Sequence, residues 1–214
     1  MKFDALVRSV GTQRYFDLAT LKTLFPSEQD TLSVQLYRWK RAGRVVELRR
    51  GLYALADPYR SEPLHGPAAA GAICRPSYLS LQWALSWYGV VPEKGGVFTS
   101  VTTRERRSFR NTLGVYTYRT VKPEMFFGYV TERIMSADVR IATPEKALVD
   151  LWYLSRGEWR PERMESMRFD VDAGVDRDRL RATVDQIAKP RMRRALSAWM
   201  EYAGTSSTDE VISG

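Results

Sequence analysis

Cysteine and histidine are almost absent from this chain of 214 residues, which contains one of each, Cys74 and His65. A single cysteine excludes an internal disulfide and any multi-cysteine metal site, and we expect Cys74 to be a buried structural thiol. The single histidine lies between prolines in an expected linker, where we expect it to be solvated. Because no second histidine can activate a serine or cysteine, the ordinary catalytic triads are excluded.

The chain also lacks long apolar runs and the glycine-rich loops that bind nucleotides. No segment approaches the roughly 20 apolar residues of a membrane-spanning helix, and Met1 begins directly on an amphipathic pattern, so we expect neither a signal peptide nor a membrane anchor. Neither G-x-x-x-x-G-K-[ST] nor G-x-G-x-x-G occurs in the sequence. These absences predict a cytoplasmic protein that is not an enzyme and that binds no metal or other cofactor.

Positive charge is in excess and is unevenly distributed. The chain has 33 Lys and Arg residues against 25 Asp and Glu residues, a formal net charge of +8 and a pI near 9.7. Residues 1–60 hold 11 of the basic residues and 6 of the acidic ones, and from Arg38 to Arg50 six basic residues face Glu47 alone. Charge concentrated in one segment favours an anionic polymer as the partner.

Apolar residues at helical spacing predict three helices before residue 44. The first ends at Gly11, and the second begins at Asp17, which we expect to be its N-cap. We expect Ser27, assisted by Asp30, to cap the third helix in a shortened capping box. The core side chains expected in the second helix are Leu18, Leu21 and Leu24. In the third helix, one stripe at helical spacing consists of Leu32, Leu36, Trp39 and the closing Gly43.

The third helix is followed by two β-prone runs, residues 45–48 and 52–55, joined by Arg49-Arg50-Gly51. A helix with a polar, basic outer face beside a hairpin with an arginine tip is typical of a winged helix-turn-helix. In that fold the helix enters the major groove of DNA and the wing contacts phosphates. We therefore predict a winged helix-turn-helix DNA-binding domain over residues 1–60. The side chains predicted to contact DNA are Ser33, Val34, Tyr37, Arg38, Lys40, Arg41, Arg44, Arg49 and Arg50.

A proline-containing segment at residues 57–63 marks a domain boundary. Beyond it the sequence predicts a mixed α+β domain over residues 61–204 and a disordered tail over residues 205–214. The predicted helices lie at 66–74, 78–88, 143–152, 161–168, 178–187 and 191–203. The predicted strands lie at 97–102, 115–121, 126–130 and 139–142. The side chains Trp83, Trp87, Tyr88, Trp152, Trp159 and Trp199 are expected in the core.

Two basic clusters form a candidate functional surface of the second domain. The first comprises Arg104, Arg106, Arg107 and Arg110, in a segment between two expected strands. The second comprises Lys189, Arg191, Arg193 and Arg194, at the start of the last helix. Positive charge is unfavourable at that end of a helix, which hints at a partner. The first cluster can bind nucleic acid or can be an ordinary solvated loop.

Acidic residues give only weak evidence of a catalytic or metal-binding site. Asp170 and Asp172 form a D-x-D pair of the kind that holds Mg²⁺, but that chemistry also needs a phosphate-binding loop and a third carboxylate. We expect Glu145 to interact with the positive end of a helix and Asp150 to make a structural hydrogen bond or ion pair.

Four segments in this order resemble the AbiEi antitoxin family. They are the helix at 32–43, the wing Arg49-Arg50-Gly51-Leu52-Tyr53, YLSLQWALSWYGVVP at 78–92, and IATPEKALVDL at 141–151. The resemblance covers about residues 1–200. It implies a type IV toxin–antitoxin system, in which the N-terminal winged helix represses its own operon at inverted repeats of duplex DNA. It also implies a C-terminal domain that opposes a nucleotidyltransferase toxin without forming a stable complex.

Two alternative functions stay open at this point. A winged-helix repressor whose second domain senses a small ligand would have the same N-terminal features. A metal-dependent nuclease or nucleotidyltransferase would use Asp170 and Asp172 as ligands.

Overall fold

The first predicted helices form in the computed structural model, which describes residues 1–92 and 95–212. Helix α1 (Phe3–Val10) ends at Gly11. Helix α2 (Leu18–Leu24) begins at Asp17, whose carboxylate accepts a hydrogen bond of 2.7 Å from the backbone N–H of Thr20. This bond holds the pKa of Asp17 below its usual value. The predicted N-cap is therefore confirmed.

Helix α3 (Leu32–Arg41) begins later than expected, and the prediction that Ser27 caps it is wrong. Pro26–Glu28 instead form one turn of 3-10 helix. The carboxylate of Glu28 bonds the amino terminus of the chain at 2.6 Å, and its carbonyl oxygen accepts a bond of 3.0 Å from the hydroxyl of Thr31. These contacts stabilise the separate turn, so α3 starts only after it. Leu24, expected in the core, is exposed at the end of α2.

The hairpin forms as predicted, in a small antiparallel sheet. Its strands are β2 (Val45–Arg49) and β3 (Leu52–Leu55), and β1 (Phe16–Asp17) pairs with the other side of β3. Gly51 at the turn has φ +80°, and Gly43 after α3 has φ +68°, both in the left-handed region that glycine adopts without strain. These two glycines end the helix and reverse the chain.

The hairpin contributes to two hydrophobic cores. Val45 and Leu55 pack with α1, α2 and α3 in the core of the first 60 residues. Leu48 and Leu52 pack into the larger core of the remaining chain. The hairpin, which precedes the boundary expected near residue 60, thus belongs to both cores and joins them.

The larger region is built on a six-stranded mixed sheet. After helix α4 (Gly66–Ile73), β4 (Ser77–Leu79) and helix α5 (Leu81–Trp87), the remaining strands are β5 (Val97–Thr102), β6 (Arg107–Asn111), β7 (Gly114–Thr120), β8 (Tyr129–Ile134) and β9 (Ala137–Ala142). Their order is β6-β7-β5-β4-β9-β8. The pairs β5–β7 and β4–β9 are parallel, and the other neighbours are antiparallel.

Helices complete the region on its C-terminal side. They are α6 (Pro144–Leu154), α7 (Pro161–Met167), α8 (Arg177–Ile187) and α9 (Pro190–Ile212). The hydroxyl of Thr143 accepts a hydrogen bond of 3.3 Å from the N–H of Lys146, so the predicted cap of α6 is confirmed. Trp152 of α6 and Trp199 of α9 are buried against each other in the core. The described residues therefore have a mixed α+β fold.

Helix α9 is longer than the sequence analysis predicts. The predicted helix ends at Ala203, whereas α9 continues to Ile212. After Gly204 no glycine or proline interrupts the chain before Gly214, so no residue of those two types stops the helix earlier. Ser213 and Gly214, the end of the predicted disordered tail, lie outside the described residues.

Other predicted elements differ from the structure. Residues 78–79, expected to begin a helix, belong to β4, a fully buried strand between β5 and β9. The strand expected at 126–130 begins only at Tyr129, because Pro123–Met125 form a 3-10 turn. The predicted loop at 104–110 contains β6, at the edge of the sheet. For β4 and β6 pairing with neighbouring strands decides the structure, and a local pattern does not report such pairing.

Two side-chain predictions also fail. His65 is buried at the start of α4, and among the described residues neither of its ring nitrogens has a hydrogen-bond partner. Burial lowers the pKa of His65, so the histidine is neutral near pH 7. Trp87, expected in the core, is 48% exposed and stacks on Trp83 at 5.8 Å between ring centroids. Cys74 is buried as predicted.

Candidate functional site

The outer face of α3 presents a row of exposed side chains. Leu32 and Leu36 are buried beneath the helix, and the side chains of Ser33, Val34, Tyr37, Arg38 and Arg41 are exposed. Val34 is 51% exposed and Tyr37 is 59% exposed. A half-exposed valine and tyrosine beside two arginines give this face apolar surface, hydroxyl groups and positive charge. A face of this composition suits a negatively charged partner that also offers hydrogen-bonding and apolar groups.

Positive charge collects at the C-terminal end of α3, where the helix dipole stabilises it. Lys40 forms an ion pair with Glu47 on β2, and this hydrogen bond raises the pKa of Lys40. The guanidinium of Arg44 lies 5.1 Å from the centre of the Phe3 ring. Arg38 and Arg41 make no ion pair within the described part of the chain. Lys40 and Arg44 therefore help to hold α3 against the hairpin and α1, while Arg38 and Arg41 are free to bind outside the chain.

The two arginines at the hairpin tip have different environments. Nε of Arg49 donates a bond of 2.7 Å to the carbonyl oxygen of Ile73 in α4, and Nη1 donates a bond of 3.0 Å to the carbonyl oxygen of Arg50. Arg49 is half-buried, whereas the side chain of Arg50 is exposed. The structure thus turns Arg49 towards the larger region and leaves Arg50 at the surface, a distinction that the sequence could not give.

The basic cluster at 104–110 is divided by the strand it occupies. Side chains alternate across a strand, so Arg107 and Arg110 of β6 lie on opposite faces. Arg107 is 3.7 Å from Glu105, and Arg106 and Arg110 are exposed. Nε of Arg104 donates a bond of 2.5 Å to the carbonyl oxygen of Arg75. An alternative role for such charges is to keep an edge strand from pairing with another chain.

The second basic cluster has partners within the chain. Arg191 donates to the carbonyl oxygens of Ser155 and Gly157, the latter at 2.8 Å, and so binds the backbone just after α6. Lys189 lies 4.6 Å from the centre of the Tyr153 ring and donates to its hydroxyl at 3.3 Å. The remaining pairs are Arg193 with Asp185 at 4.0 Å and Arg194 with Glu158 at 3.4 Å. These contacts explain positive charge at the start of α9 without an external partner.

A buried polar cluster, unforeseen as a whole, connects α6 with the sheet. Asp150 accepts hydrogen bonds from the hydroxyl of Tyr78 at 3.0 Å and from the hydroxyl of Ser80 at 2.8 Å. Its other oxygen pairs with the ammonium of Lys146, one turn earlier on α6. The prediction of a structural hydrogen bond or ion pair for Asp150 is confirmed. The missed member is Lys146, whose signal was a lysine four residues before an aspartate in an otherwise apolar helix.

Burial dominates the electrostatics of this buried polar cluster. It raises the pKa of Asp150 and lowers the pKa of Lys146, while each charge shifts the pKa of the other in the opposite direction. Glu145 beside them is also buried, and it accepts a bond of 3.0 Å from the backbone N–H of Asp176 at the start of α8. These groups have structural partners, and they pack the first turns of α6 against the sheet and α8.

The D-x-D pair lies at the surface. Asp170 and Asp172 are exposed, and a carboxylate oxygen of Asp170 accepts a bond of 3.0 Å from the N–H of Asp172. Across residues 1–92 and 95–212, no group of three or more histidine, cysteine, aspartate and glutamate side chains is placed to hold a metal ion. A short turn accounts for the arrangement of these two aspartates.

No protein-family model matches the chain, and no curated protein matches it. In the part of the chain that the structure describes, no helix combines the length and apolar character that crossing a bilayer requires.

Proposed function

We propose that residues 1–60 are a winged helix-turn-helix that binds duplex DNA, with α3 in the major groove and the β2–β3 hairpin as the wing. The observation that carries this proposal is the exposed face of α3, where Arg38 and Arg41 lie uncompensated beside Val34 and Tyr37. An α-helix fits the major groove, where arginine recognises guanine and an apolar side chain contacts the thymine methyl group.

The role proposed for each side chain is based on its surroundings. Ser33, Val34, Tyr37 and Arg38 lie on the outer face of α3 and are proposed to contact base edges. Arg41 and Arg50 are exposed near the ends of that surface and are proposed to bind phosphates. Lys40, Arg44 and Arg49 also add positive charge, but their contacts within the chain give them a supporting role.

We further propose that the chain is an antitoxin of the AbiEi type, which represses its own operon and counteracts a nucleotidyltransferase toxin without catalysis of its own. The support is the order of the four resembling segments. Two of these segments, at 78–92 and 141–151, supply all four residues of the buried polar cluster. The four residues of the buried polar cluster therefore stabilise the fold of the second region. The proposed role of this region against the toxin rests on the resemblance.

Binding to the promoter of the chain's own gene tests the DNA-binding proposal. Arg38→Ala should weaken binding by roughly 1–3 kcal/mol on the preferred operator and reduce its margin over scrambled DNA, because a base contact is lost. Arg50→Ala should weaken binding to both DNAs alike. Arg177→Ala, exposed on α8, is the matched control and should bind as the wild type does. Equal loss on both DNAs for Arg38→Ala would contradict base recognition by α3.

A separate experiment tests the antitoxin proposal. The neighbouring nucleotidyltransferase reading frame is expressed from an unrelated promoter, so that repression by the chain cannot reduce the amount of toxin. Co-expression of the full chain should restore growth, and Arg38→Ala should restore it equally well. Failure of both proteins to restore growth would leave a repressor without antitoxin activity.

A ligand-sensing repressor is the second candidate function. The observation that favours it is a basic cleft between the first 60 residues and the larger region.

A further inference from the structure

Two neighbouring cavities, each of about 620 Å³, lie where the N-terminal region meets the larger region. The first extends along α4 to β8 and β9, and the second extends along the hairpin tip to β6. Tyr15, Ala72, Arg75 and Arg104 line both. Because these shared residues form a common wall, we treat the two cavities as one cleft, the arginine cleft.

The arginine cleft is strongly positive. Seven arginines line it, and Asp17 and Asp138 are its only carboxylates among the described residues. Asp17 caps α2, and Asp138 pairs with Arg133 at 2.8 Å. Two of the seven arginines are paired with carboxylates outside the lining, Arg14 with Glu62 at 2.8 Å and Arg107 with Glu105 at 3.7 Å. The other five make no ion pair among the described residues, so the cleft keeps an excess of positive charge.

Arg75 and Arg104 lie at the centre of the cleft and are tied to the backbone. Nε of Arg75 donates a bond of 3.1 Å to the carbonyl oxygen of Gly71, and Nε of Arg104 donates a bond of 2.5 Å to that of Arg75. Neither guanidinium has a carboxylate within ion-pair distance in the described part of the chain. Both anchors use Nε, so the terminal nitrogens of the two fixed, like-charged groups are left to bind an anion.

Tyr15 contributes to the wall that the two cavities share, but its hydroxyl does not face their space. The hydroxyl is enclosed and, among the described residues, has no hydrogen-bond partner. Burial raises the pKa of Tyr15, so the hydroxyl keeps its proton. The hydrogen-bond donors proposed for a ligand are therefore the guanidinium groups of the arginines.

The size and the walls of the cleft narrow the class of ligand. A volume of about 620 Å³ per cavity lies within the range for sites that enclose small molecules. Ala68, Ala72, Leu79 and Val139 give the first cavity an apolar side. Guanidinium groups match phosphate oxygens in geometry and charge. We infer that the arginine cleft binds a phosphorylated small molecule of nucleotide size, with its phosphates on Arg75 and Arg104 and its body against this apolar side.

Ligand binding in the arginine cleft does not depend on the proposed DNA binding. An occupied cleft would, however, affect the hairpin tip that is proposed to bind DNA. Arg50, proposed to bind DNA phosphates, lines the second cavity together with Arg49. An anion in that cavity would compete for the positive charge of the hairpin tip. Ligand binding should therefore weaken DNA binding.

Calorimetric titration of the full chain with ATP and with GTP tests the inference, with adenosine as the probe without phosphate. We expect at least one nucleotide to bind and adenosine not to bind. Arg75→Gln combined with Arg104→Gln should weaken nucleotide binding by at least about tenfold, because charge-assisted hydrogen bonds are lost. Tyr15→Phe, which removes only the enclosed hydroxyl, should bind nucleotide as the wild type does. Arg156→Gln, an exposed arginine outside the cleft, is the matched control.

Three results would overturn the inference. Absence of nucleotide binding, or equal binding by the wild type and the double variant, would overturn the inference. Binding of a short single-stranded oligonucleotide at Arg75 and Arg104, without binding of either nucleotide, would also overturn it and would make the cleft a nucleic-acid surface. Thermal unfolding of each variant checks its fold, and Arg104→Lys, which keeps the charge, should bind better than Arg104→Gln. The operator assay is scored separately, so failure of DNA binding does not affect this result.

Discussion

The ammonium of Lys146 and the carboxylate of Asp150 are both removed from water, which is costly for two charged groups. Their mutual attraction offsets part of that cost, and the hydroxyls of Tyr78 and Ser80 satisfy the second oxygen of Asp150. The cluster thereby fixes the orientation of α6 against β4. A buried pair of this kind is more sensitive to the loss of one partner than to a balanced replacement of both.

Replacement of Lys146 alone should therefore be strongly destabilising. Lys146→Met leaves Asp150 buried without its cation and should lower the free energy of unfolding by about 3–5 kcal/mol. Lys146→Met combined with Asp150→Asn removes both charges but keeps an oxygen that accepts from Tyr78 and Ser80, so most of the loss should be recovered. Urea denaturation of both variants measures the difference. Equal stability of Lys146→Met and the wild type would show that the pair is dispensable.

Buried tyrosines make the protein sensitive to alkali. Burial raises the pKa of Tyr78, Tyr116 and Tyr118 above the usual value of 10.0, so above about pH 10 the unfolded chain loses protons that the folded chain keeps. The folded state then binds more protons, and stability falls as the pH rises. Burial also raises the pKa of Tyr15 and Tyr88, and each group of this kind lowers the free energy of unfolding by up to about 1.4 kcal/mol per pH unit.

Denaturation measured between about pH 9 and pH 11, with tyrosinate absorbance followed near 295 nm, tests this pH dependence. Ionisation of the buried tyrosines should coincide with unfolding instead of preceding it. Tyr116→Phe should reduce the slope by up to about 1.4 kcal/mol per pH unit, since one of these groups is removed. Constant stability over this range, or an unchanged slope in the variant, would contradict the argument.

At the scale of elements, the structure is predictable where several local signals agree. The hairpin combines β-prone runs with Gly51 at a positive φ, and α6 combines a Thr143 cap with a proline in its first turn. The sequence does not predict strands β4 and β6, for two different reasons. Strand β4 directly precedes a helical pattern and is included in the predicted helix. Strand β6 lies at an edge of the sheet and contains two arginines, which favour the prediction of a loop. Their strand character comes from partners distant in the sequence.

The candidate DNA-binding surface is likewise predictable only where it depends on a local pattern. The exposed face of α3 follows from helical periodicity, and the side chains predicted there are exposed. The different environments of Arg49 and Arg50 were not predictable, because the carbonyl oxygen of Ile73 that binds Arg49 comes from another element. Pairing of Lys40 with Glu47 across α3 and β2 was hidden in the same way.

The hairpin tip accordingly predicts a dissociation between stability and binding. Arg49→Ala removes a charge-assisted bond from β2 to α4 and should lower the free energy of unfolding by about 1–2 kcal/mol. Arg50→Ala removes an exposed charge and should leave stability within about 0.5 kcal/mol of the wild type. Urea denaturation compares the two variants, and DNA titration should show the larger loss for Arg50→Ala. A larger loss of stability for Arg50→Ala, together with a larger loss of DNA binding for Arg49→Ala, would contradict this assignment of the two arginines.

At the scale of the whole molecule, the two cores are joined by contacts that the sequence did not reveal. Leu48 and Leu52 of the hairpin belong to the larger core, and the side-chain amide of Asn111 donates a bond of 3.0 Å to the carbonyl oxygen of Leu48. Arg14 donates to Glu62 at 2.8 Å and to the carbonyl oxygen of Ser136 at 3.0 Å. Hydrophobic patterning identifies the cores separately, and it carries no information about such shared side chains.

Removal of residues 1–65 should therefore destabilise the remaining region. A fragment of residues 66–214 exposes the apolar surface that Leu48 and Leu52 cover, and it should unfold at least about 5 °C below the full chain. A fragment of residues 44–214 keeps the hairpin and is the matched comparison, expected to unfold at a higher temperature than the shorter fragment. Circular dichroism on heating measures all three. If the shorter fragment unfolds at the same temperature as the full chain, the hairpin adds nothing to the larger core, and the two regions are thermodynamically independent despite their contacts.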